Sequence, residues 1–136
     1  YEVTLVGNRM DLLKEEFSNN SNVKVLGRVE DLSPYYEDAD VVVGPIFEGA
    51  GMKVKTAEAL SYGKIFIGTD ESLIGYKELA GNLLGKSIIV CNNEEEFAKA
   101  INNLDFGNGF CPENYDFFLR NYSIEAATCK LKTLLE

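Results

Sequence analysis

An α/β fold, doubly wound around a mostly parallel sheet, follows from three features of this sequence. Five short apolar runs rich in β-branched residues alternate with stretches of helical periodicity. One of them, Val41-Val42-Val43, is apolar without alternation, the mark of a strand covered on both faces, as in a parallel sheet. Clusters of glycine, asparagine and serine turn the chain between the runs. Together they predict one three-layer domain over residues 1–136, with a sheet of about five to six strands.

The elements follow in order. Val3 to Val6 is the first strand, Gly7-Asn8 turns the chain, and Met10, Leu12, Leu13 and Phe17 recur at helical spacing, predicting a helix over Arg9–Phe17. After the turn cluster Asn19-Asn20-Ser21-Asn22, Val23–Gly27 reads as the second strand. Ser33-Pro34 opens a short helix to Ala39, since proline suits the first helical position. Val41–Val43 is the third strand. Within Met52–Tyr62, Met52, Val54, Ala57 and Leu60 predict a buried stripe, and Gly63 a stop. Ile65–Gly68 is the fourth strand, Thr69-Asp70-Glu71-Ser72 a polar loop, Tyr76–Leu79 a short helical turn, and Ser87–Val90 the fifth strand. Asn92-Asn93 and Glu94-Glu95-Glu96 start the next helix, with carboxylates suited to its dipole. Asp105–Pro112 lacks periodicity. From Glu113 to Glu136 the chain is helical, with a break at Asn121-Tyr122-Ser123 and Ser123 as N-cap.

Composition narrows the function. With 136 residues, 13 basic against 22 acidic side chains and a net charge of −9, the chain can bury a core but lacks the cationic excess that nucleic acid rewards. No nucleic-acid partner is expected. No apolar run approaches the length of about 20 residues that spans a bilayer, and no signal peptide opens the chain. A cytoplasmic location is expected, with Cys91, Cys111 and Cys129 as reduced thiols too scattered for a zinc site or a disulfide framework. The chain has no histidine, which removes the commonest general base and the usual metal ligand.

The unusual chemistry is concentrated between Gly44 and Lys64. There the chain leaves the third strand, passes Gly49 and Gly51 and enters a helix, whose first N–H groups lack partners and carry partial positive charge. Anions bind readily at such an end, and glycines let a phosphate approach the backbone. Lys53 and Lys55 oppose the helix dipole, a conflict relieved by an anion between them. The competing reading has both lysines in water and the glycines merely turning the chain. In a parallel sheet the loops Gly7-Asn8, Gly27-Arg28, Glu48–Gly51 and Thr69-Asp70 all fall at the carboxyl ends of strands, where such folds bind ligands.

The order Gly27-Arg28-Val29, Asp31-Leu32, Tyr35-Tyr36, Ala39-Asp40-Val41, Gly49-Ala50-Gly51-Met52-Lys53-Val54-Lys55-Thr56-Ala57-Glu58-Ala59-Leu60 and Gly63-Lys64 resembles the C-terminal, donor-binding half of retaining GT-B glycosyltransferases of the group 1 type. The likeness extends to Gly81-Asn82 and Arg120–Ser123. It implies a Rossmann-like domain that holds a nucleotide-diphosphate sugar, with no metal or other cofactor required. Glu58 matches the glutamate that binds the ribose hydroxyls, a task suited to a carboxylate with two accepting oxygens. Lys55, and beside it Lys53, match basic residues near the pyrophosphate. Gly49, Ala50, Gly51 and Met52 would form the loop around it, the loop at Gly27-Arg28-Val29 would meet the base with Val29 giving apolar contact, and Gly7 is a further binding candidate.

One departure stands out. The family's commonest form has a second glutamate, which would fall at Ala50; the nearest acid is Glu48. Either a loop insertion shifts Glu48, or the sugar-binding carboxylate is absent. The resemblance implies sugar transfer with retention, with Lys55 and Glu48 as the catalytic candidates. It also implies an N-terminal acceptor-binding half of the same protein, through which peripheral membrane contact has room, so this chain alone should bind nucleotide weakly and turn over nothing. The alternative is a non-catalytic α/β nucleotide- or partner-binding module. A receiver domain fits poorly, because Gly7-Asn8, Gly44-Pro45 and Cys91 stand where its acids and lysine belong. A dehydrogenase fits no better, for want of the Gly-x-Gly-x-x-Gly fingerprint.

Overall fold

The computed structural model describes residues 1–136 and contains five strands and six α-helices. Its elements are β1 (Val3–Val6), β2 (Val23–Leu26), α1 (Ser33–Asp38), β3 (Val41–Gly44), α2 (Val54–Ser61), β4 (Ile65–Gly68), α3 (Lys77–Ala80), β5 (Ile88–Val90), α4 (Glu94–Asn103), α5 (Pro112–Asn121) and α6 (Ile124–Leu135). Every strand pairing is parallel, as the apolar runs predict. The strands divide into a two-stranded sheet, β1-β2, and a three-stranded sheet, β3-β4-β5, rather than forming one continuous sheet. Contacts cluster into two compact units, Tyr1–Pro34 and Tyr35–Glu136.

In the first unit β1 and β2 pair from Val3↔Val23 to Val6↔Leu26. The helix expected over Arg9–Phe17 is here only a 3-10 turn, Met10–Leu13, followed by further turns. Arg9 enters it with φ 66° and no side-chain cap, and its ladder uses tight bonds such as Lys14 N–H to Asp11 O at 3.2 Å. Short helices depend on burying an apolar face. Leu12 is 65% exposed, Met10, Leu13 and Phe17 are only half-buried, and no residue of Tyr1–Pro34 is buried, so the apolar spacing gains too little burial to extend the turn.

In the second unit β4 is central, flanked by β3 and β5, and the buried cluster comprises Ala59, Leu60, Phe66, Leu73, Tyr76, Ala80, Ile88 and Phe117. A central strand loses water from both faces, which is why Phe66, Ile67 and Gly68 are all buried. The buried stripe of α2 is Thr56, Ala59 and Leu60, whereas Met52 and Val54 are exposed. Thr56 can lie inside because its hydroxyl donates to Ser72 O at 2.7 Å. Gly63 stops α2 with φ 62°: its N–H bonds Leu60 O, Lys64 N–H bonds Ala59 O, and the pair satisfies two terminal carbonyls.

Helix α5 packs on α2 and brings Phe117 and Asn114 inward. Asn114 is fully buried; it donates to Lys64 O and Ser87 O and accepts from the Ser87 hydroxyl, joining α5 to the starts of β4 and β5. The Lys64 ammonium is buried as well, donating to Gly109 O at 2.8 Å and Glu37 O at 3.1 Å. It thereby ties the aperiodic 105–111 segment to the end of α1. Asn93 caps α4 by accepting from Glu96 N–H, and Ser123 caps α6 by accepting from Ala126 N–H.

Candidate functional site

Because β3, β4 and β5 run parallel and end in register, Gly44 opposite Gly68 and Gly68 opposite Val90, the chain segments that follow them leave one edge. Those segments are Pro45–Lys53, Thr69–Tyr76 and Cys91–Asn93. In the first unit, Gly7 and Gly27–Val29 leave the carboxyl ends of β1 and β2 and are joined by Gly7 N–H to Gly27 O at 3.2 Å. Arg28 is exposed there and Val29 half-buried.

The loop before α2 is held by internal bonds. Gly49 has φ 141° and Gly51 φ 68°, conformations that side chains disfavour. The Lys53 ammonium donates to Gly51 O and Glu71 Oε1, both at 2.8 Å, with the Lys53 side chain only 13% exposed. A Cβ on Gly49 would lie 3.3 Å from that ammonium. Thr69 Oγ1 donates to Ile46 O, Tyr76 OH donates to Lys53 O at 2.9 Å, and Met52 covers Gly75. The anion that the dipole conflict at Lys53 calls for is thus supplied by Glu71.

Lys53 is also the N-cap of α2, and a lysine offers no acceptor to the helix end. Thr56 and Ala57 N–H turn back to Lys53 O, while Val54 and Lys55 N–H have no partner in the chain. The Lys55 side chain is exposed and unpaired. Two free donors and one free ammonium therefore meet at the positive end of the helix dipole. One turn on, at neighbouring (i, i+3) spacing, stands half-buried Glu58. Its Oε2 accepts from Tyr36 OH at 3.1 Å, and the Tyr36 ring stacks on Tyr62 with centroids 5.1 Å apart and planes 9° from parallel. Burial first, then the charge and hydrogen bond of Glu58, hold the Tyr36 phenol well above its ordinary pKa, so it remains a donor.

Of the candidates read from sequence, Gly49, Ala50, Gly51, Met52, Lys53, Lys55 and Glu58 lie together along this loop and the first turns of α2. Glu48 and Ala50 are exposed, and the Glu48 carboxylate has no partner. Gly7, Arg28 and Val29 belong to the first unit. Sequence reasoning assigned no role to Tyr36, Thr69, Glu71 or Tyr76, although Tyr35-Tyr36 is part of the resemblance and the Thr69-Asp70 loop falls at the expected ligand edge. Farther along that loop, Asp70 is held below the usual carboxylate range by hydrogen bonds from Lys77 and Asn92. A depression of about 420 Å³ in the first unit, with Lys14, Phe17 and Lys24 among its walls, includes none of the candidates. No three acidic or cysteine side chains converge as a metal site.

The glycine loop, the lysines and the glutamate one turn on carry the resemblance, and a family model bears on its family. The model of the glycosyl transferases group 1 family matches residues 1–104. The chain belongs to that family. The match runs from β1 through α4 and includes every candidate named above, leaving α5 and α6 beyond it. No curated protein matches the chain. This glycosyltransferase domain has no helix long and apolar enough to cross a membrane.

Proposed function

We propose that this domain binds the nucleotide-diphosphate sugar of a retaining glycosyltransferase at the start of α2, and that its acceptor side is completed by another domain of the intact protein. The observation that carries the reading is the contrast between the two lysines: Lys53 is neutralised by Glu71, while Lys55 and the N–H groups of Val54 and Lys55 remain unpaired. A diphosphate meets all three donors. As the sugar leaves, negative charge grows on the diphosphate, and preorganised donors stabilise it by roughly 3 kcal/mol each. Glu58 takes the ribose hydroxyls, one turn along α2. Lys53 acts by holding the loop rather than by touching phosphate, and Glu48, exposed and unpartnered, is the acid available to the sugar side. No metal is needed for this charge balance, since ammonium and helix dipole supply the positive field.

Isothermal titration of the chain with UDP, GDP and ADP tests the site. Heat is expected with at least one of them, and Lys55→Ala is expected to weaken that binding by about tenfold or more, as for loss of a charged hydrogen bond. Absence of heat with all three removes the donor-site reading. Undiminished turnover of the intact enzyme carrying Lys55→Ala removes the leaving-group role.

A further inference from the structure

The Glu58 carboxylate is gripped on one side only. Tyr36 OH donates to Oε2, and nothing else in the chain donates to either oxygen. Tyr36 is itself fixed: it lies on α1 beside the core, and its ring lies flat on Tyr62, the residue that follows the last turn of α2. A glutamate on a helix ordinarily wanders among several rotamers, and a bound carboxylate must first give up that freedom. Here the second residue of the pair has already removed it. The carboxylate retains about three of its four lone-pair sites for outside donors, enough for two vicinal hydroxyls.

We infer that Tyr36 is the positioning residue for ribose recognition: it presets Glu58 so that the carboxylate meets the 2′- and 3′-hydroxyls of the nucleoside, with Tyr62 as the platform that aims the phenol. This rests on the donor-site reading and adds to it the claim that discrimination between ribose and deoxyribose passes through α1. The phenol does not touch the nucleotide. It acts on Glu58, so its removal must be felt only where Glu58 is engaged.

The test is titration of the chain with UDP, GDP and ADP and with the three 2′-deoxy counterparts, for the unsubstituted protein, Tyr36→Phe, Glu58→Gln and the double substitution. Tyr36→Phe retains the ring and its stack on Tyr62, so the fold is kept; a matching thermal transition verifies this. Affinity for the ribonucleotide should fall about five- to tenfold in Tyr36→Phe, as for one hydrogen bond to a charged group, while affinity for the deoxynucleotide changes less than twofold. In the Glu58→Gln background the further change Tyr36→Phe should have a much smaller effect, because the neutral amide oxygen accepts from the phenol more weakly than the carboxylate does. Equal losses for both sugars would show a merely structural role and overturn the inference. So would ribose discrimination that survives Tyr36→Phe while Glu58→Gln abolishes it, which leaves the donor site standing. If none of the six nucleotides binds the unsubstituted chain, both readings fall together.

Discussion

Residues 1–34 and residues 35–136 contain the same kind of parallel pairing, yet only the second region buries any side chain. In the first, β1 and β2 form their full four-residue ladder around a 3-10 turn, and Val3 and Leu12 stay exposed. In the second, β3, β4 and β5 are covered by α2 and α5, and Leu60, Ile67, Leu73 and Ile88 are wholly inaccessible. Backbone hydrogen bonds largely exchange with water and contribute modestly, whereas apolar burial supplies most of the stabilisation. The second region can therefore hold a site to fixed geometry, and the candidate diphosphate and ribose residues belong to it.

The harshest way to break this comparison is to remove residues 105–136. The family match ends at residue 104, but Asn114, Phe117 and Tyr122 lie beyond it and pack into the core of the second region. A chain ending at residue 104 is expected to lose its cooperative unfolding transition in urea; retention of a sharp transition would show that α5 is dispensable. Next in size, Phe66→Ala should destabilise by about 3–5 kcal/mol in urea titration, against under about 1 kcal/mol for Val3→Ala in the exposed strand. Equal effects would erase the distinction between the regions.

Asn114→Ala is a sharper probe, because what it chiefly deletes is three buried hydrogen bonds. It leaves the Ser87 hydroxyl and the carbonyls of Lys64 and Ser87 short of partners, and a loss of about 2–3 kcal/mol is expected in the same titration. Smaller is the alkaline effect. Burial, with the charges of Tyr76 and Glu78 adding to it, pushes the Tyr122 phenol up to about 12. The folded chain then keeps a proton that the unfolded chain releases above its ordinary value near 10, so this contribution is intact below about pH 10 and is lost as pH rises toward 12. Tyr122→Phe should flatten the fall of stability across that window. Smallest of all in stability is Lys55→Ala, expected within about 0.5 kcal/mol of the parent because the side chain is exposed and unpaired. Its whole effect should be on nucleotide binding.

Legibility followed sequence distance. Gly63 as a stop, the helix start at Asn92–Glu96, Ser123 as a cap and the continuous apolar run of β3 were readable because each feature bonds or packs within a few residues. The helix expected over Arg9–Phe17 misled because periodicity reports an apolar face without reporting whether anything covers it. In the candidate site, the glycine loop and the pair Lys53 and Lys55 stood out from type and spacing, and Glu58 from the family resemblance. The partners that divide their labour did not: Glu71 is eighteen residues from Lys53 and Tyr36 twenty-two from Glu58.

By itself, then, the sequence determined the strand positions, the parallel α/β class and the place where an anion could meet a helix start, since these rest on side-chain period, glycine and local capping. Tertiary structure alone decided which lysine is free, which face of α2 is buried and what holds the Glu58 carboxylate. Those outcomes depend on contacts between segments that only the closed chain brings within hydrogen-bond reach, and no local pattern records such contacts.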